Sequence, residues 1–212
     1  MRPARLLLVA AQITVGSALV AGGLIVWTIP YHYSRALGIA FELIRSDARY
    51  VVIGDSITAI ASPATVCGKP AINAGIPNYT TEDYGSALAI FRPLLGERRV
   101  FVALGTNDTW PGAPSYAGFG REYGKLLQRL GGRVEAVVLV PPARYGVRYP
   151  DRTRRDRVNA IITALANAAR IPIVLVTTMS TTDGVHPNAR GTVQWQAALR
   201  SACSASSRSV ET

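Results

Sequence analysis

Apolar positions along the chain follow three different patterns. From Leu6 to Pro30 they run on without a charged residue. That is longer than the roughly 20 residues that cross a bilayer as a helix. From Ser34 to Arg45 they recur at Ala36, Leu37, Ile39, Ala40, Phe41 and Ile44, the spacing of a short helix. Beyond that, short runs rich in β-branched residues alternate with helical periodicity. Strands are expected at about Tyr50–Ile53, Pro70–Gly75, Arg99–Leu104, Val134–Val140 and Ile171–Val176. Helices are expected after Ser56, from Thr81 to Leu95 (opened by Thr81-Glu82-Asp83), up to Leu130, from Arg152 to Ala169, and up to Cys203. Gly131-Gly132 stops the third of these.

Five short apolar strands alternating with helices predict one α/β domain. Its three layers are a parallel sheet with helices on both faces. The expected organisation is a membrane anchor or signal segment over 1–33, a globular domain over 34–203 and a disordered Ser-rich tail over 204–212. Arg2 and Arg5 precede the long apolar run, which places the amino terminus inside and the domain outside the cell membrane. Trp27 to Tyr33 resembles an interfacial aromatic belt more than a cleavage site, which favours an uncleaved transmembrane helix. Cleavage, with release of a secreted or periplasmic domain, is the alternative, and both readings export the domain.

The chain has 212 residues and a formal net charge of +10. A basic balance suits nucleic acid, anionic lipid or acidic polysaccharide, and export argues against nucleic acid. Arg144, Arg148, Arg152, Arg154, Arg155 and Arg157 cluster around a Pro/Tyr-rich loop and a helix start. They read either as a solvated helix face or as an anion-attracting rim. The two cysteines, Cys67 and Cys203, match no zinc spacing. Outside the cytoplasm they can form a disulfide; two buried thiols are the competing reading. In a sheet ordered 2-1-3-4-5 the first and last helices share a face, so the pair could meet.

Four polar motifs fall at strand ends: Gly54-Asp55-Ser56, Asn73-Ala74-Gly75, Gly105-Thr106-Asn107-Asp108 and Asp183-Gly184-Val185-His186. Parallel strands put their carboxyl ends on one edge, where open α/β sheets bind ligands. Of the two histidines, His32 sits among tyrosines beside the apolar run, so His186 is the candidate base. Asp183, three residues earlier, can hold its tautomer and leave the other ring nitrogen for a serine.

These blocks, in this order, resemble the SGNH hydrolases of the GDSL esterase/lipase superfamily, over about Tyr50 to Leu199. The name letters fall on Ser56, Gly75, Asn107 and His186. The resemblance implies a flavodoxin-like fold with Ser56 as nucleophile, His186 as general base and Asp183 as its orienter. It also implies an oxyanion hole of the Ser56 and Gly75 N–H groups with the Asn107 side chain. Tyr79, Asp108 and Trp110 are the candidate substrate contacts. The second block departs from the family pattern, because Asn78 and Tyr79 stand where a further Gly and an Asp are usual. No Gly-x-Ser-x-Gly elbow, P-loop or zinc pattern occurs. Neither a metal nor a cofactor is expected.

The expected activity is hydrolysis of a carboxylic ester through an acyl-enzyme. The substrate is a small molecule or glycan carrying a small acyl group on a carbohydrate or a lipid-like alcohol. Two other readings stay open: an O-acyltransferase acting on cell-surface glycan, and a non-catalytic membrane-tethered binding module.

Overall fold

In the computed structural model, which describes residues 31–146 and 149–206, the first apolar run becomes strand β1, Tyr50–Gly54. Its residues Val51, Val52 and Ile53 are at most 1% exposed. A strand buried on both faces needs a continuous apolar run rather than an alternating one. Strand β1 sits between β3 (Lys69–Gly75) and β4 (Arg99–Ala103), parallel to both. Parallel strands β5 (Val134–Val138) and β6 (Ile173–Val174) continue the sheet beyond β4.

The sheet is not the five parallel strands expected. It has six, in the order β2-β3-β1-β4-β5-β6, and it is mixed, because β2 (Thr65–Val66) runs antiparallel to β3 at one edge. Strand β2 is two residues long, too short for any periodicity to mark it. Cys67 and Gly68, both at positive φ (50° and 70°), make the tight turn into β3. Without β2, the parallel strands keep the flavodoxin-like order 2-1-3-4-5.

The fourth and fifth strands are also shorter than the apolar runs that predicted them. The Asn159 carboxamide accepts from Val140 N–H at 2.8 Å and donates to Val140 C=O at 3.0 Å. A side chain thus satisfies the backbone where the run would otherwise have continued as strand.

Among the described residues the α-helices are α1 (Tyr31–Arg45), α2 (Ser56–Ala61), α3 (Thr81–Phe91), α4 (Tyr116–Leu130), α5 (Arg152–Ala168) and α6 (Ala189–Ser206). Thr80, not Thr81, caps α3, in a capping box with Asp83. Gly131, at φ 57°, ends α4. One face of the sheet buries Val52, Phe101, Ala136 and Val174 against Ile57 of α2 and Trp195 and Leu199 of α6. Cys67 and Cys203 are joined by a disulfide with a Cα–Cα distance of 5.3 Å, tying the β2–β3 turn to the end of α6.

The expected transmembrane helix is not found: no helix among the described residues is long and apolar enough to cross a membrane. Tyr31 to Tyr33, assigned from sequence to the anchor, open α1 instead. The rest of the proposed span, 1–30, lies outside the described residues, as do tail residues 207–212. From Gly38 onward the chain forms one compact unit.

Candidate active site

Gly54 ends β1 against a wall. A Cβ there would lie 2.0 Å from Thr58 Oγ1 and 2.7 Å from Ala103 C=O, so no side chain fits. Buried Asp55 then caps α2, its Oδ1 accepting from Ile57 N–H at 3.0 Å. Burial pushes the Asp55 carboxyl up to about 6, against that N–H bond. Ser56 follows as the first residue of α2 and is 8% exposed.

The partner segment follows β6 and is closed on itself. A bridge pairs Thr181 with Pro187, and Thr182 N–H donates to His186 C=O at 2.9 Å. Asn188 staples its base, with the carboxamide donating to Ser180 Oγ at 2.9 Å and accepting from Gly191 N–H at 3.0 Å. Within this loop Asp183 Oδ1 accepts from the N–H groups of Val185 (2.9 Å) and His186 (2.7 Å). Its Oδ2 lies 2.6 Å from His186 Nδ1, and His186 Nε2 lies 3.0 Å from Ser56 Oγ. Desolvation pushes the Asp183 carboxyl up, but the hydrogen bonds from the His186 ring and the two N–H groups outweigh it. They hold it well below the usual carboxylate range. An ionised Asp183 accepts the Nδ1 proton, which leaves the Nε2 lone pair facing the serine hydroxyl.

Ser56 and His186 open into a cleft of about 400 Å³ that Asn78, Asn107, Trp110 and Val185 also line. Asn107, in a 3-10 turn after β4, donates one Nδ2 hydrogen to Tyr79 C=O at 2.9 Å.

The structure places other sequence candidates elsewhere. Gly75 does not line the cleft, and its N–H is donated to Asn73 Oδ1 at 3.0 Å. Gly75 is glycine for another reason: a Cβ there would lie 2.3 Å from Ala59 N in α2. Asp108 is buried and accepts from the N–H and the hydroxyl of Thr81, both at 3.0 Å, so it anchors α3. The Tyr79 ring packs edge-on against Tyr84 at 6.2 Å, and of Tyr79, Asp108 and Trp110 only Trp110 lines the cleft.

Sequence reasoning did not select Asn78 or Val185. Asn78 holds φ 65°, a conformation asparagine tolerates better than other residues bearing a side chain. An Asn after Pro77, where a glycine is usual, was the available signal.

The arginine cluster divides. Arg154 donates to Asp108 C=O at 2.7 Å and to Pro114 C=O, and it stacks on Tyr116. Arg155 donates to Val140 C=O (3.0 Å) and Pro141 C=O (3.2 Å). These two hold loops in place. Arg144 is exposed, stacks on Tyr149, and gives its backbone N–H to Gly184 C=O. Arg148 lies outside the described residues. Among the described residues no group of three or more His, Cys, Asp or Glu side chains is placed to hold a metal ion.

A family model of GDSL-like lipase/acylhydrolase matches residues 52–193. Among solved structures, a GDSL-like lipase from Bacteroides thetaiotaomicron is similar at TM-score 0.67 and 22% identity, covering 83% of this chain and 98% of that one. A lipase/acylhydrolase from Enterococcus faecalis is similar at TM-score 0.61 and 22% identity, covering 74% and 96%. An acetylxylan esterase from Geobacillus stearothermophilus is similar at TM-score 0.60 and 17% identity, covering 76% and 95%. At these identities the likeness is one of fold. No curated protein sequence matches the chain.

Proposed function

From the premise that this chain belongs to the GDSL-like lipase/acylhydrolase family and is an ester-bond hydrolase, we propose that it is an exported serine esterase. Ser56 carries the acyl group. Ser56 Oγ attacks the ester carbonyl while His186 Nε2 takes its proton, and Asp183 holds the ring and stabilises the imidazolium. His186 then protonates the leaving alcohol. A water, deprotonated by the same nitrogen, attacks the acyl-serine and releases the acid. The observation that carries this reading is the continuous chain Asp183–His186–Ser56, at 2.6 and 3.0 Å.

The oxyanion donors proposed are the Ser56 N–H, the Asn107 carboxamide and the Asn78 N–H. Asn78 replaces Gly75 because the Gly75 N–H is already bonded to Asn73. The Asn78 N–H has no partner among the described residues, and Asn78 lines the cleft. Each such donor contributes typically about 10²–10³ in rate.

The proposed substrate is a small acyl group on a carbohydrate or lipid-like alcohol, in keeping with a cleft of about 400 Å³. The Cys67–Cys203 disulfide supports export, since such bonds persist in oxidising compartments.

Ser56→Ala should keep the fold, shown by an unchanged circular dichroism spectrum, and lose several orders of magnitude in aryl acetate turnover. A fluorophosphonate should label wild-type protein at Ser56, with free acetate as the product of turnover. Activity retained in Ser56→Ala rules the mechanism out.

A further inference from the structure

Two residues that line the cleft carry polar side-chain groups with no hydrogen-bond partner among the described residues: Asn78, with its carboxamide, and Trp110, with its indole N–H. Their neighbour Thr80 is committed, because its hydroxyl bonds the Asp83 carboxylate at 2.6 Å. Among the described residues, His186 is the one ionisable side chain in the cleft lining. Arg144, beside the catalytic loop, stacks on Tyr149 and is not part of the lining.

The backbone at Asn78 adds a second observation. At φ 65° glycine would sit more easily than any residue with a Cβ. Asparagine in this conformation commonly bonds its own backbone, but here the side chain has no such bond and the residue is exposed. A residue that lines the cleft thus carries a carboxamide, two donors and an acceptor, with no partner among the described residues.

We infer that the alcohol side of the substrate is a neutral carbohydrate and that the Asn78 carboxamide reads its hydroxyl groups, with the Trp110 indole N–H as the second polar contact. This rests on the esterase reading above and narrows it. A lipid-like alcohol would cover both groups and leave them without partners, which is the unfavourable outcome for a polar group removed from water. An anionic alcohol would find no Lys or Arg among the described residues of the lining. A sugar supplies hydroxyls that both donate and accept, and the apolar C–H face of its ring can lie against an indole.

The test uses the full chain and two esters of one acid, an acetylated xylo-oligosaccharide and phenyl acetate. Its readout is the ratio of their kcat/KM values. In Asn78→Gly, which keeps the backbone and its N–H, that ratio should fall about tenfold, mostly through a higher KM for the sugar ester. Asn78→Asp, which also tolerates this φ but offers no donor, should lower it in the same direction. A ratio unchanged in both variants overturns the inference. So does a wild type that turns over phenyl acetate and not the sugar ester, which leaves the esterase reading standing. A wild type that turns over neither ester removes the esterase reading and this inference together.

Discussion

At the scale of single residues, the β1–α2 corner is built on exclusion. Gly54 leaves space that Thr58 Oγ1 and Ala103 C=O fill, and the carboxyl of Asp55 is wholly buried beside Ser56. That burial has a pH signature. The folded Asp55 pKa of about 6 lies above the ordinary 3.8. Between those values the folded protein holds a proton that the unfolded chain has lost, so stability falls as pH rises. The contribution is fully present below pH 3.8, is lost through about pH 6, and amounts to on the order of 3 kcal/mol. Asp55→Asn keeps a cap acceptor and removes the titration. Denaturant unfolding at pH 4 and pH 7 should show wild type losing stability relative to the variant as pH rises. Parallel behaviour of the two proteins at both pH values would refute this account. Asp183 has the opposite sign, since its depressed pKa adds stability that is lost as pH falls.

At the scale of elements, the loop over 180–188 owes its shape to hydrogen bonds with its own ends and with α6. Asn188 does two jobs there. Its Oδ1 accepts from Gly191 N–H in the first turn of α6, and its Nδ2 donates to Ser180 Oγ and Thr181 C=O. Asp183 and His186 hang between those anchor points, so loosening Asn188 should displace the ring nitrogen that faces Ser56. A shift of about 1 Å in a reacting group can cost about 10²-fold. Asn188→Asp keeps the cap acceptor and loses the donor. It should lower kcat by about 10² with KM changed little. An unaltered kcat would mean that the backbone bonds alone hold the loop.

At the scale of the whole molecule, residues distant in the chain meet because parallel strands bring their carboxyl ends to one edge. The disulfide acts at this scale too. It joins positions 136 residues apart and links the β2–β3 turn to the helix that follows His186. Cys67 occupies a turn position at φ 50°, where Asn or Gly is usual. Its place there is explained by the bond rather than by the turn. In the chain-entropy account a cross-link over so long a loop contributes on the order of 4–5 kcal/mol. Cys67→Gly combined with Cys203→Ala suits the turn and removes only the link. Its thermal midpoint should fall by several degrees, and reductant should lower the midpoint of wild type but not of the variant. Equal midpoints for the two oxidised proteins would show the bond to be dispensable.

What the chain determines locally was legible without the fold. β-branched runs ending in Gly-Asp-Ser or Gly-Thr-Asn are strand-to-turn signals, and Asp183 lies within reach of His186 because only Gly184 and Val185 separate them. Right-handed crossovers leave few topologies for the parallel strands. Other features depend on which neighbour arrives, and no periodicity encodes that. Strand β2 exists as a partner for β3. Val140 leaves the sheet because Asn159 meets its backbone. The Gly75 N–H turns to Asn73 because that side chain offers its Oδ1, and Asp108 turns inward because Thr81 offers two donors. Arg154 and Arg155 read as charge in the sequence and serve in the fold as braces for backbone carbonyls. A buried polar group takes the partner that packing brings to it, so these roles were decided only when the layers closed.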